Sequence, residues 1–182
     1  MSASKVSAHV GVFGPRSAQW AADLRARTRV PVSVIAENTH PEHPFTTALI
    51  FVEANAEVSW QDWLTEMEQT AESIDRIFPR LANPAKLLLI GHSPDQRAHI
   101  RHRSQGFLTD LTNGFGAYAT TEFGLDASVN AIEVPPTAES QLLVDRLAEF
   151  VEHGHVAADG HVIAVEDIEE QSLAVAISMI EI

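Results

Sequence analysis

The stretch GHSPDQ, Gly91 to Gln96, sets a serine beside a histidine and two residues before an aspartate. Serine, histidine and a carboxylate are the parts of a hydrolytic nucleophile, in which imidazole takes the hydroxyl proton and the acid orients the imidazole. The spacing around Ser93 does not suit that chemistry. On an extended strand end neighbouring side chains point to opposite faces, so His92 is turned away from Ser93. A Gly-x-Ser-x-Gly elbow is not matched either, because Asp95 stands where its second glycine belongs.

The nine histidines raise metal binding next. His40, Glu42 and His43 share a Pro-rich loop, His99 and His102 have i, i+3 spacing, and His153, His155 and His161 flank a turn. A zinc site wants about three protein ligands at tetrahedral positions, with partners orienting them. None of these groups has a clear third ligand nearby, so no metal is expected, and without cysteine there is no thiolate site or disulfide.

These residues depend on the elements that carry them. Val6–Gly14 reads as a strand and Arg16–Thr28 as a helix with Trp20 and Leu24 facing inward. Val30–Ala36 and Thr46–Ala54 read as two further strands, separated by a loop rich in Pro and His. Ser59–Leu81 is a long helix, with Ser59 as N-cap, Asp62 three positions on, and Pro79 at its end. Ala85–Ser93 is apolar on both faces, as in a buried parallel strand. The stretch from Pro94 to Phe123 reads as one helix, weakened or bent around Gly114 and Gly116. A strand (Ala127–Val134), a helix (Glu139–Gly154) and a strand (Gly160–Glu166) follow, and the apolar end LAVAISMIEI is expected as an edge strand or against a partner. The alternation predicts one α/β domain over residues 1–182, with a mainly parallel sheet.

Composition narrows the classes of function. The formal net charge of −13 opposes a nucleic-acid surface, which needs clustered Lys and Arg. No run approaches about 18 apolar residues, and the start lacks a signal-peptide core, so a cytoplasmic chain away from membranes is expected. The one basic cluster, RAHIRHR from Arg97 to Arg103, reads either as a charged helix face or as a dock for an acidic partner.

TTEFGLDASVNAIEV, with the later LVDRLAEFVEHGHVAADGHVIAVED and the segment from Trp60 through FPRL to AKLLLIGHS, resembles the short-chain dehydrogenase/reductase family in order and spacing. The resemblance covers most of Thr46–Asp167 and is similar in kind to a non-catalytic relative of 3-oxoacyl-carrier-protein reductases. It implies a Rossmann-like three-layer fold, here shortened by about one βα unit, since only a short loop separates Glu37 from the next strand. The family's chemistry calls for a Gly-rich turn, a ribose-reading residue, a Ser, a Tyr–Lys pair and a helix Asn. Gly11 and Gly14 stand in the turn without a third glycine, Glu37 holds roughly the ribose position, and Asn130 lies in the VNAI strand. These four are vestiges by this reading, Asn130 bonding backbone rather than cofactor.

Ser93 matches the family serine, but Ile100–Thr109, where the pair belongs, contains neither Tyr nor Lys. Tyr118, the sole tyrosine, stands further along and is followed by Glu122. No cofactor is therefore expected. The leading expectation is a non-catalytic subunit that assembles with itself or an active NAD(P)-dependent homologue through helices near Trp60–Phe78 and Ala98–Tyr118. One alternative is a divergent oxidoreductase using NAD or NADP with Tyr118 or Ser93 as a displaced acid. A second is a small-ligand or acyl-carrier-binding module, which requires open space beyond SVNAIEVPP.

Overall fold

A computed structural model describes residues 8–36, 42–52, 59–74, 76–93, 95–136, 140–153 and 159–179. The strands are β1 (Val10–Phe13), β2 (Val32–Val34), β3 (Phe45–Val52), β4 (Leu81–His92), β5 (Ala127–Val134) and β6 (Val162–Ala164). They form one sheet in the order β2-β1-β3-β4-β5-β6, and every pairing is parallel. A purely parallel sheet has to be covered on both faces, which is why most residues of β3, β4 and β5 are buried.

The helices are α1 (Ser17–Arg25), α2 (Trp60–Ile74), α3 (Ala98–Phe123), α4 (Ser140–His153) and α5 (Leu173–Met179). Alternation along the strands builds two cores. Leu49, Phe51, Leu88, Ile90, Ile132 and Val134 pack towards α1, α4 and α5. Their neighbours Ala48, Ile50, Leu87, Leu89, Val129 and Ala131 pack on the other face, with Leu108 and Ala119 of α3 and Ile74 of α2. The result is a three-layer α/β arrangement of the Rossmann type. Relative to the usual doubly wound order 3-2-1-4-5-6, the described residues contain no counterpart of the third strand and its helix, and one strand is added at the far edge. Among the described residues, the connection from β2 to β3 holds no helix.

Local signals explain most boundaries. Ser59 Oγ donates to Asp62 Oδ2 at 2.7 Å while the Asp62 N–H donates back to Ser59 Oγ, a reciprocal cap that starts α2. That helix ends at Ile74 rather than Leu81, and a separate 3-10 turn, Phe78–Arg80, leads into β4. Residues 98–123 form one continuous helix despite three internal glycines, because its inward face, from Ile100 through Leu108 to Ala119, is anchored on the sheet. Gly124, at φ 61°, closes it with a left-handed cap.

Two further expectations change. β2 is only three residues long, an edge strand paired on one side. The C-terminal apolar stretch is not an edge strand. Through Met179 it forms α5, whose Leu173, Ala176 and Ile177 are buried in the chain's own core.

Candidate functional site

In a doubly wound sheet, ligand chemistry gathers at the carboxyl ends of the strands, near the point where the strand order reverses. Here that point lies between β1 and β3. Gly14, immediately after β1, has φ 104°, and a Cβ there would stand 1.9 Å from the Phe51 carbonyl oxygen of β3. The glycine is needed so that the turn can lie against the neighbouring strand. Gly11 faces the Ile35 side chain, which a Cβ would meet at 2.4 Å. Pro15 does not occupy the first helical position. The Ser17 N–H donates to the Gly14 carbonyl across Pro15 and Arg16, with Arg16 in left-handed backbone at φ 55°, and α1 starts only at Ser17.

Strand alternation gives the ends of β4 and β5 two different sides. Ser93 and Glu133 belong to the α3 side; His92 and Val134 belong to the α1/α4 side. Ser93 is buried, its N–H donating to the Val134 carbonyl at 2.8 Å and its Oγ to the Asp95 carbonyl at 3.0 Å. Asp95 in turn accepts from the Arg97 backbone and side chain, and those bonds hold its carboxyl below the ordinary aspartate value. The serine hydroxyl thus fastens the loop entering α3.

Beside it stands an ionic triad that no motif in the sequence marks. Arg101, in the first turn of α3, donates to the fully buried Glu133 through Nη2 at 2.6 Å and Nε at 3.1 Å. It also donates to Glu166 through Nη1 at 2.7 Å and Nη2 at 3.0 Å. The bonds to Glu133 first, then those to Glu166, hold the guanidinium firmly charged, and Arg101 holds the half-exposed Glu166 carboxyl below its ordinary value. A carboxylate next to the end of a strand whose other residues are uncharged is the one signal the sequence carries: Glu133 in AIEV requires a partner once buried. Ser104, one turn further along α3, is fully buried, and its Oγ has no hydrogen-bond partner among the described residues.

The basic cluster does not act as one surface. Arg97 pairs with Asp95 and Arg101 turns inward, leaving His99, His102 and Arg103 exposed on the helix. Tyr118 is not brought to Ser93. α3 runs back along the sheet, so Tyr118 lies about 25 Å down the helix from Arg101. There it packs with Phe78 and Phe123, at ring separations of 5.8 and 5.7 Å, near the amino ends of the strands. Lys86 lies midway along β4, opposite Thr47 of β3 and Ser128 of β5, its Nζ 5.0 Å above the Phe150 ring of α4, and burial lowers its pKa. Asn130 is buried, with its Oδ1 accepting from the His161 N–H at 3.1 Å. Glu37 lies outside the described residues, as do His40 and His155, and no cluster of three metal-ligating side chains occurs among the described ones.

On the other side of the sheet a cavity of about 510 Å³ opens between α1 and α4, bounded at the strand ends by His92 and Val134. The space beyond the SVNAIEV strand is open on this side and occupied by the ionic triad on the α3 side.

The order of the sheet, its two helical layers and this pair of strand-end sites define a Rossmann-like α/β protein. No protein-family model and no curated protein sequence matches the chain. Among solved structures, that of BdcA (YjgI) from E. coli is similar, with a TM-score of 0.53 and 11% sequence identity over 88% of this chain and 98% of that one. At this identity the likeness is one of fold.

Proposed function

We propose that the chain is a non-catalytic subunit of short-chain-dehydrogenase-like ancestry, assembling with itself or with an active NAD(P)-dependent homologue through α2 and α3. The observation carrying this reading is the Arg101–Glu133–Glu166 triad on the α3 side of the strand ends. Hydride transfer to a carbonyl needs a proton donor there, and a guanidinium held charged by two carboxylates is a poor one. The engaged hydroxyl of Ser93 and the remote position of Tyr118 support the same reading. So do the sequence resemblance and the fold likeness, which together favour a Rossmann-like ancestor over an unrelated α/β scaffold.

The reading is tested by calorimetry with NADH and NADPH on the pure chain, and by light scattering after size exclusion. No nucleotide binding and a mass above that of one chain are expected. Micromolar nucleotide binding would refute it, and hydride transfer lost on Tyr118→Phe would replace it with a divergent oxidoreductase.

A further inference from the structure

We propose that two copies of this chain pair through α3, running antiparallel about a two-fold axis that passes between Leu111 and Gly114. The proposal rests on the assembly reading above and gives it a definite partner and register. A two-fold interface uses one surface twice, so two residues that meet must lie equally far before and after the axis. One flank of α3 has that symmetry. Arg103, Phe107, Leu111, Gly114, Tyr118 and Glu122 follow at intervals of four, four, three, four and four residues. The series is the same from either end. At about 100° per residue, the six share one sector of the helix roughly 100° wide.

Antiparallel copies therefore set Arg103 against Glu122, Phe107 against Tyr118 and Leu111 against Gly114, each contact occurring twice. The chemistry of each pair agrees. Arg103 and Glu122 are exposed, and neither side chain has a hydrogen-bond or ion-pair partner among the described residues. They are 19 residues apart in the chain, and about 28 Å along the helix is too far for them to pair with each other. Leu111 is only half-buried, at the edge of the core. Gly114 is exposed, and a Cβ there would find no atom within 4 Å, which leaves room for a leucine from the second copy. Tyr118 is still 36% exposed after packing on Phe78 and Phe123, so aromatic surface remains to be covered. Both members of every pair stand on the same stripe, a requirement that only a second copy imposes. The exposed ion pairs at the two ends fix the register, while the apolar middle supplies the affinity.

Sedimentation equilibrium of the full-length chain at fixed salt tests the pairing. Arg103→Glu should raise the dimer dissociation constant about tenfold, because like charges then meet at both ends. Glu122→Arg should weaken the dimer by a similar factor, although it makes the chain less acidic and general repulsion alone would then ease. The double change, Arg103→Glu with Glu122→Arg, should return the constant to within about twofold of the unaltered value. Residues so far apart in one chain repair each other only by meeting between chains. Gly114→Gln should weaken pairing, whereas Gly106→Gln, equally open within the chain but outside the sector, should not. A chain that stays monomeric overturns the proposal and leaves the reading above with a homologue as the partner. A dimer that ignores the charge changes, or single losses that the double change fails to repair, overturns this pairing of α3 while the assembly itself stands.

Discussion

Gly14 illustrates how a residue that suggests a nucleotide in sequence has a packing role in the fold. Its positive φ and its contact with the Phe51 carbonyl are reasons for glycine that involve no phosphate. Gly14→Ala combines left-handed strain with a clash against backbone that cannot step aside. It should cost about 3 kcal/mol or more, read from the urea midpoint. Ser104 should respond in the opposite sense. Its buried Oγ forgoes hydrogen bonding in the middle of a helix, so Ser104→Ala should raise stability by about 1 kcal/mol through relieved desolvation and better helix propensity. A loss on that change would mean that the hydroxyl has a partner in solution. Neither outcome could be read from residue type alone, since both depend on which atoms the neighbouring strand brings near.

At the scale of elements, Arg101 works as a clamp, joining the first turn of α3 to the end of β5 through Glu133 and to the turn after β6 through Glu166. Removing one member of a buried ionic set leaves the others uncompensated. Arg101→Met should therefore cost about 3 kcal/mol, while the double change Arg101→Met with Glu133→Leu should recover much of that loss. The clamp also gives stability a pH dependence. Glu166 has its folded pKa depressed below the unfolded value, with bonding to Arg101 as the largest cause. Its contribution is present above the ordinary glutamate range and is lost as pH falls through the lower, folded value. Thermal melts should show the unaltered chain losing stability across that acid limb, and Arg101→Met losing less. The elements themselves were largely legible. The Ser59–Asp62 cap places the start of α2 and the apolar run of β5 places that strand end to end, whereas α2 stops at Ile74, well short of Leu81, and β4 begins at Leu81, ahead of Ala85. The pairing of Arg101 with Glu133 was not, because 32 residues separate them in sequence and only the packing of α3 on β5 brings them together.

For the whole molecule, alternating strands and helices were enough to foresee the parallel sheet, because right-handed crossovers leave few other arrangements. They could not fix the fate of the C-terminal stretch, whose apolar residues suit an edge strand, a partner or, as found, a helix closing the chain's own core. Nor could they show that the strand ends divide into a charged, filled side and an open side. Net charge bears on the assembly proposed for α2 and α3. Two chains that each carry a formal −13 repel one another over distances comparable to the Debye length. That length is about 10 Å at 0.1 M salt and about 3 Å at 1 M. Contact between the partly buried Phe107, Leu111 and Phe115 of α3 and a second copy would be apolar and largely indifferent to salt. Self-association should therefore tighten as sodium chloride is raised from about 0.05 to 0.5 M, since screening removes the repulsion and leaves the apolar attraction. Sedimentation velocity over a concentration series measures this directly. Weakening with salt would assign the assembly to ion pairs, and would move the interface away from the apolar flank of α3 to its exposed charged residues.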